Sequence, residues 1–170
     1  RSSTTPLGAA TTTSPAGTVI PGKKEYPKDL TEVMAGHHLP YVCQASPGYF
    51  QDLIKKVETA MEIEGPKFMN TLSPCPRGWR HANDAAIRIS KLAVDCCFWP
   101  LYEVRNDTYA LTGQSKLIAD GKKEKVPLAE YLKPQGRFKH LLAPKNKEFL
   151  DSIQEEVDRR WERLVKLSKL

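Results

Sequence analysis

Residues 40–73, PYVCQASPGYFQDLIKKVETAMEIEGPKFMNTLS, decide the fold. The run Tyr41-Val42-Cys43-Gln44-Ala45 is rich in β-formers and is closed by Pro47-Gly48, which reads as a strand. Phe50, Leu53, Ile54, Val57, Ala60 and Met61 then recur at helical spacing until Gly65-Pro66 stops the helix. The short apolar run KFMNTLS before Pro74 predicts a second, buried strand. Strand, helix and strand at this spacing form a crossover unit of a parallel sheet.

The flanks extend that pattern. KDLTEVMAGHH predicts a short helix ahead of the first strand. Asn83 or Asp84 is an N-cap candidate for a helix to about Cys97, with Ala85, Ile89, Leu92, Ala93 and Cys96 on one face. The order α, β, α, β, α predicts an α/β fold. A parallel sheet needs more than two strands and both faces covered, so its completion is expected from residues outside the chain.

After Pro100 the periodicity changes. LYEVRNDTYALTG alternates around Asn106-Asp107 and predicts a β-hairpin, the Asn-Asp-Thr triplet being a turn rather than a glycosylation site. PLAEYLKPQGRFKHLL reads as a short helix, two breakers (Pro134 and Gly136) and an apolar anchor of Phe138, Leu141 and Leu142. A final helix over about 145–168 carries Leu150, Ile153, Val157, Trp161 and Leu164 as a stripe, with Glu155–Arg159 and Glu156–Arg160 as i,i+4 pairs. The division expected is 1–99 as part of an α/β domain and 100–170 as a hairpin and helical extension that packs on it or on a partner subunit.

Composition bounds the function. The 170 residues are 40% hydrophobic and carry a net charge of +6, spread over Lys23–Lys24, Lys122–Lys125, Arg137–Lys139 and the last helix. A solvated basic surface is the simplest reading, with a docking face for an acidic partner or anionic cofactor next. No aromatic-and-basic platform motif argues for nucleic acid. No run of about 18 apolar residues exists to span a membrane. The start, RSSTTPLGAATTTSPAG, has neither an initiator Met nor the apolar core of a signal peptide, and residues 1–27 read as loop, the kind of segment that walls a site. This predicts a chain cut at this point or one segment of a larger assembly. The four unevenly spaced cysteines point to a reducing cytoplasm rather than a disulfide framework.

One cysteine stands apart. Cys75 lies between Pro74 and Pro76 at the carboxyl end of the second strand, where open α/β folds place their sites, and Arg77-Gly78 follow. A thiolate ligand to an iron–sulfur cluster needs such held geometry, and Cys-Pro occurs in ferredoxin ligand runs. A lone cysteine is an incomplete site, so core packing and metal ligation both stay open for it here. Cys43, mid-strand, reads as structural. Cys96 and Cys97 diverge by about 100° on a helix and suit packing rather than joint chelation. His37-His38 sit where a helix ends and read as structural. No Ser/His/Asp order or phosphate-binding glycine loop is complete in the chain.

Together, TTPLGAATTTSPAGTVIPGK (4–23), HLPYVCQASPG (38–48), TLSPCPRGW (71–79), CCFWPLYEV (96–104), LKPQGRFKHL (132–141) and EVDRRWERLVKL (156–167) resemble the second half of the thiamine-diphosphate-binding beta subunit of pyruvate:ferredoxin oxidoreductase, or pyruvate synthase. The resemblance implies oxidative decarboxylation of pyruvate with coenzyme A to acetyl-CoA and carbon dioxide, reversibly, with electrons passed through iron–sulfur clusters to ferredoxin. It implies Cys75 as one ligand of a four-iron (4Fe-4S) cluster, whose other three cysteines, with the magnesium and diphosphate motifs, lie before residue 1. Arg1, Ser2, Ser3, Thr4 and Thr5 match the stretch after the magnesium loop and would line the diphosphate end of thiamine diphosphate. The implied partners are the other half of the beta subunit, the alpha-, gamma- and delta-type subunits, and ferredoxin, in the cytoplasm. The chain by itself would be inactive. A different class also fits: a non-catalytic interaction module that kept the fold without its cofactor half.

Overall fold

The computed structural model describes residues 5–12, 14–17 and 22–170. Arg1, Ser2, Ser3 and Thr4 of the expected cofactor-lining stretch lie outside the described residues.

The crossover unit forms as its sequence dictates. Strand β1 (Tyr41–Ala45) leads through a 3-10 turn into helix α2 (Phe50–Glu62), and strand β2 (Lys67–Thr71) returns parallel to β1, pairing Tyr41 with Lys67 and Ala45 with Thr71. Gly48 in the turn is required by contact: a Cβ there would lie 2.7 Å from the backbone nitrogen of Lys91. The predicted hairpin is present as β3 (Tyr102–Arg105) and β4 (Thr108–Leu111), with Asn106 and Asp107 both at positive φ. Two left-handed residues make the tight turn that matches strand twist. The hairpin joins the same sheet, antiparallel to β1, in the order β2-β1-β3-β4. The fold is α/β with a mixed sheet.

Helices cover both faces. Helix α1 (Leu30–Ala35) is N-capped by Asp29, whose carboxylate accepts from the Glu32 amide at 3.1 Å, and it packs on β1 and β2. The segment after β2 contains one turn of helix, α3 (Pro76–Trp79). Helix α4 (Ala86–Asp95) is entered through a 3-10 turn over Asn83–Ala85, so the expected side-chain cap by Asn83 or Asp84 does not form. Helix α5 (Gly113–Ala119) follows the hairpin and was not expected. Helix α6 (Leu128–Leu132) and a 3-10 stretch over Gly136–Leu142 precede the long α7 (Lys147–Leu167).

Two apolar clusters result. Ile89 and Ala93 of α4, and Cys96 just after it, meet Leu128, Tyr131 and Leu132 of α6, Phe138 and Leu141, and Ile153 and Val157 of α7. Val42, Tyr102 and Val104 on one face of the sheet meet Ala35 of α1 and Leu164 of α7. Each large side chain buried in them contributes about 1.5–3 kcal/mol.

Three expectations need correction. Strand β2 is an edge strand, half-buried at Phe68, Met69 and Asn70 and exposed at Lys67 and Thr71, because only β1 flanks it among the described residues. The basic residues of α7 reach across rather than along the helix: Arg160 bonds Asp29 and Arg163 bonds Glu32, tying α7 to α1, while Arg159 pairs with Glu156 at 2.7 Å. Finally, α2 turns its apolar stripe outward. Phe50 is 61% exposed, Ile54 51%, Val57 42% and Met61 81%, whereas Lys56 is buried. The Lys56 ammonium is satisfied at 2.5 Å by Asp52, one turn before it, and at 2.8 Å by the Gln44 carbonyl. Burial lowers its pKa, with the Asp52 carboxylate working against that.

Candidate functional site

Cys75 sits where β2 gives way to α3. Its φ is fixed in the extended region by the chain path between Pro74 and Pro76, and its carbonyl accepts from the Trp79 amide at 2.9 Å to close the single helical turn. The thiol is free and exposed; Cys43, Cys96 and Cys97 are free but buried. Burial pushes the Cys43 thiol up to about 11, and those of Cys96 and Cys97 to about 12. Of the four thiols, only that of Cys75 is open to a ligand or reagent. A Cβ at Gly78 would make only an ordinary contact with the sulfur, at 3.9 Å, so the exposure of the thiol does not depend on that glycine.

The loop carrying Cys75 is locked by partners far away in sequence. The Arg137 guanidinium lies 3.9 Å from the centre of the Trp79 ring and 4.8 Å from that of Phe138. Its Nε donates to the Gln135 side chain at 2.9 Å, and Gln135 donates to the Tyr131 carbonyl at 2.6 Å. The Gly136 amide donates to the Arg80 carbonyl at 2.9 Å, and a Cβ at 136 would fall 2.8 Å from the Arg80 Cβ. Arg80, left-handed at φ 56°, donates to the Ala10 carbonyl at 2.7 Å, while the Ala10 amide donates to the Arg137 carbonyl at 2.8 Å. Segments 8–11, 75–80 and 135–138 thus form one knot. Beside it, Nε2 of buried His81 has no hydrogen-bond partner among the described residues.

Cys75 opens on a cavity of about 1430 Å³. Its walls bring together Thr5, the loop at 10–12, Cys75, Arg77, Trp79, Arg80, Arg137 and, from α7, Glu156, Arg160 and Trp161. The N-terminal loop is a wall of this space, as its composition predicts. Thr5 and Cys75, the two expected site residues among those described, line the same cavity. Among the described residues no three His, Cys, Asp or Glu side chains converge to hold a metal ion. One exposed thiol, an uncovered approach and flanking arginines fit a single corner of a cluster that draws its other ligands from outside.

Sequence reasoning missed the polar floor of the cavity. Asn70 donates to Thr31 at 3.0 Å, Thr31 to Gln44 at 2.9 Å, and Gln44 to the Pro100 carbonyl at 2.9 Å. The Ala45 carbonyl accepts from both the Leu72 amide and the Trp99 indole. These bonds fix the carboxyl ends of β1 and β2. A polar Gln in a strand of otherwise apolar residues was the available signal. His37 and His38 stand apart from the site, His38 bonding Asp107 of the hairpin turn at 2.9 Å.

No protein-family model matches the chain. It is 43% identical over 171 residues, all of its length and 51% of the relative's, to pyruvate synthase subunit PorB of Thermotoga maritima. The likeness runs along the whole of this chain and about half of that subunit. The same holds for ketoisovalerate oxidoreductase subunit VorB of Pyrococcus horikoshii, 39% identical over 170 residues, 100% of this chain and 52% of the relative. Pyruvate synthase subunit PorB of Methanocaldococcus jannaschii is 42% identical over 158 residues, 93% of this chain and 49% of the relative. The chain spans about half the length of the curated relatives it matches. Among the described residues, no helix is long and apolar enough to cross a membrane.

Proposed function

We propose that the chain is the second half of the thiamine-diphosphate-binding subunit of a cytoplasmic 2-oxoacid:ferredoxin oxidoreductase, and that Cys75 is its one ligand to a four-iron cluster. The observation that carries this is the Cys75 thiol: exposed, held between prolines and open to the large cavity at the carboxyl ends of the parallel strands. The homology to subunits named for pyruvate and for ketoisovalerate supports the reaction class. Pyruvate is the substrate proposed, with coenzyme A as acceptor and ferredoxin as electron partner.

Bound thiamine diphosphate, with magnesium, supplies the decarboxylation, and the cluster supplies a path for electrons. This chain's residues do the holding. Cys75 would present its sulfur as the ligand, and the Arg137–Trp79 contact would keep the loop from shifting as the cluster binds. Thr5, with Arg1, Ser2, Ser3 and Thr4, would line the diphosphate end. The division into 1–99 and 100–170, the second part packing on the first or on an alpha-, gamma- or delta-type subunit, is part of the same proposal.

The test is assembly. The proposal expects the chain to co-purify with a polypeptide carrying a CxxC pair and a Gly-Asp-Gly motif, on the same or a separate chain, with iron and thiamine diphosphate in the assembled protein. A stable monomer that carries neither, with no such partner, would favour the non-catalytic interaction module instead.

A further inference from the structure

We propose that the free edge of β2 and the apolar flank of α2 form one docking face, and that its occupant is the half of the relatives' length that this chain does not span. This rests on the reading above that the chain is half of a subunit, and it names the surface by which the halves join.

Two independent features meet there. The first is backbone. Among the described residues β2 pairs only with β1, so alternate N–H and C=O groups of Lys67–Thr71 point away from the sheet without a strand partner. Soluble proteins blunt such edges with charge, proline or a covering loop. Here Pro66 and Lys67 guard only the start of the edge, and the four residues that follow, Phe68, Met69, Asn70 and Thr71, are uncharged.

The second feature is the helix that covers the same side. At 100° per residue Phe50, Ile54, Val57 and Met61 fall within an arc of roughly 60°. The opposite flank of α2 is polar and already engaged with β3 and α5. Thr59 accepts from Arg105 at 3.5 Å, and Asp52 lies against Gly113. The sheet runs from β3 through β1 to β2. With its polar flank over β3, α2 carries its apolar flank over the β2 side, where the sheet stops. On the other face of the sheet α1, also packed on β2, exposes Leu30 and Val33. Both helical layers therefore end in apolar side chains beside an open strand edge, the profile of a layered sheet cut partway across.

The choice of occupant follows from length and chemistry. The relatives carry about as much chain again as is present here. A face that offers both an open strand and apolar helical layers on each side of it is matched by a strand with its own flanking helices. A self-paired copy would have to meet edge to edge on β2 with α2 against α2, which makes it a distinct and testable outcome.

Hydroxyl-radical footprinting with mass spectrometry on the assembled native protein reads this face without a mutation. Leu117 and Leu142, 36% and 38% exposed, are internal references on the same chain, each label being divided by the intrinsic radical reactivity of its residue type. The proposal expects Phe50, Ile54, Val57 and Met61 to be labelled less than both references, although they are more exposed in this chain. It expects the β2 amides that point away from β1 to exchange on the order of tenfold or more slowly than those of the exposed turn at 120–123. It also expects cross-links from Lys55 and Lys67 to end on the complementary half. Labelling of the stripe equal to or above the references overturns the proposal, as do cross-links to a second copy of this chain. Iron measured on the same sample separates the two readings. A labelled stripe with iron present refutes this interface and leaves the cluster reading standing, whereas a protected stripe without iron does the reverse.

Discussion

The Arg137 guanidinium stacks 3.9 Å from the centre of the Trp79 ring, joining the segment that carries Cys75 to one 58 residues further along the chain (137 − 79). Arg137 is buried, and burial lowers its pKa while the Tyr131 hydroxyl opposes that. It is a planar cation used as packing material.

Replacing it should therefore cost more than a charge. Arg137→Ala leaves Gln135 and Tyr131 short of a partner and Trp79 without its stack. The expected loss is about 3 kcal/mol, read as a melting temperature lower by roughly 6–12 °C in the assembled protein. Arg137→Lys should recover less than half of it, because an ammonium lacks the flat face. Equal stability of Arg137→Lys and the parent would contradict the stacking role.

Gly136→Ala tests the same knot from its backbone side. A Cβ there meets the Arg80 Cβ at 2.8 Å and the Arg80 carbonyl at 2.9 Å, so the two segments must separate. The expected cost is about 1–3 kcal/mol, together with faster alkylation of Cys75 in iron-free protein as its loop loosens. An unchanged rate and melting temperature would show that the contact is slack.

Thiol accessibility gives a sharper count. In iron-free native protein a disulfide reagent should modify Cys75 quickly and leave Cys43, Cys96 and Cys97 unreacted until unfolding, since Cys75 alone is exposed. Rapid modification of a second thiol of this chain would contradict the burial described.

Stability should fall on the alkaline side. The thiols of Cys43, Cys96 and Cys97 are raised by burial from an ordinary 9.0 to about 11, 12 and 12. Above pH 9 the unfolded chain sheds these protons while the folded one keeps them, so their contribution is full below pH 9 and is lost as pH rises through 11–12. Lys56 and Lys23, lowered by burial, act with the opposite sign as pH approaches 10.5, whereas Tyr41, Tyr49, Tyr102, Tyr109 and Tyr131, raised by burial, act with the thiols. Urea unfolding from pH 8 to 11 should show a decline, made shallower by Cys96→Ala. A flat or rising profile would refute the assignment.

How far the sequence foretold this depends on the range of the interaction. The crossover over 40–73 was legible because strand alternation, helical periodicity and Gly-Pro stops are local signals. The hairpin was legible in Asn106-Asp107 for the same reason. Cys75 drew attention through its prolines, again locally. The Arg137–Trp79 stack was not legible, since nothing near either residue announces the other. Lys56 reads as a solvated helix position, and only the Gln44 carbonyl of a neighbouring strand explains its burial. The stripe on α2 was visible as periodicity, yet periodicity finds an apolar face without saying what covers it. Helix α5 escaped because Gly113, a weak helix former, opens it and Thr112 provides no side-chain cap.

The most direct test of the account is Cys75→Ser in the assembled protein, followed by iron content and electron paramagnetic resonance of the reduced sample. Serine keeps the size of the side chain and the Pro74–Pro76 frame but removes the thiolate. The account predicts lowered iron, loss of the signal of one four-iron cluster, and no reduction of ferredoxin, with the partner half still bound. A normal cluster signal with full iron content in that variant would contradict it.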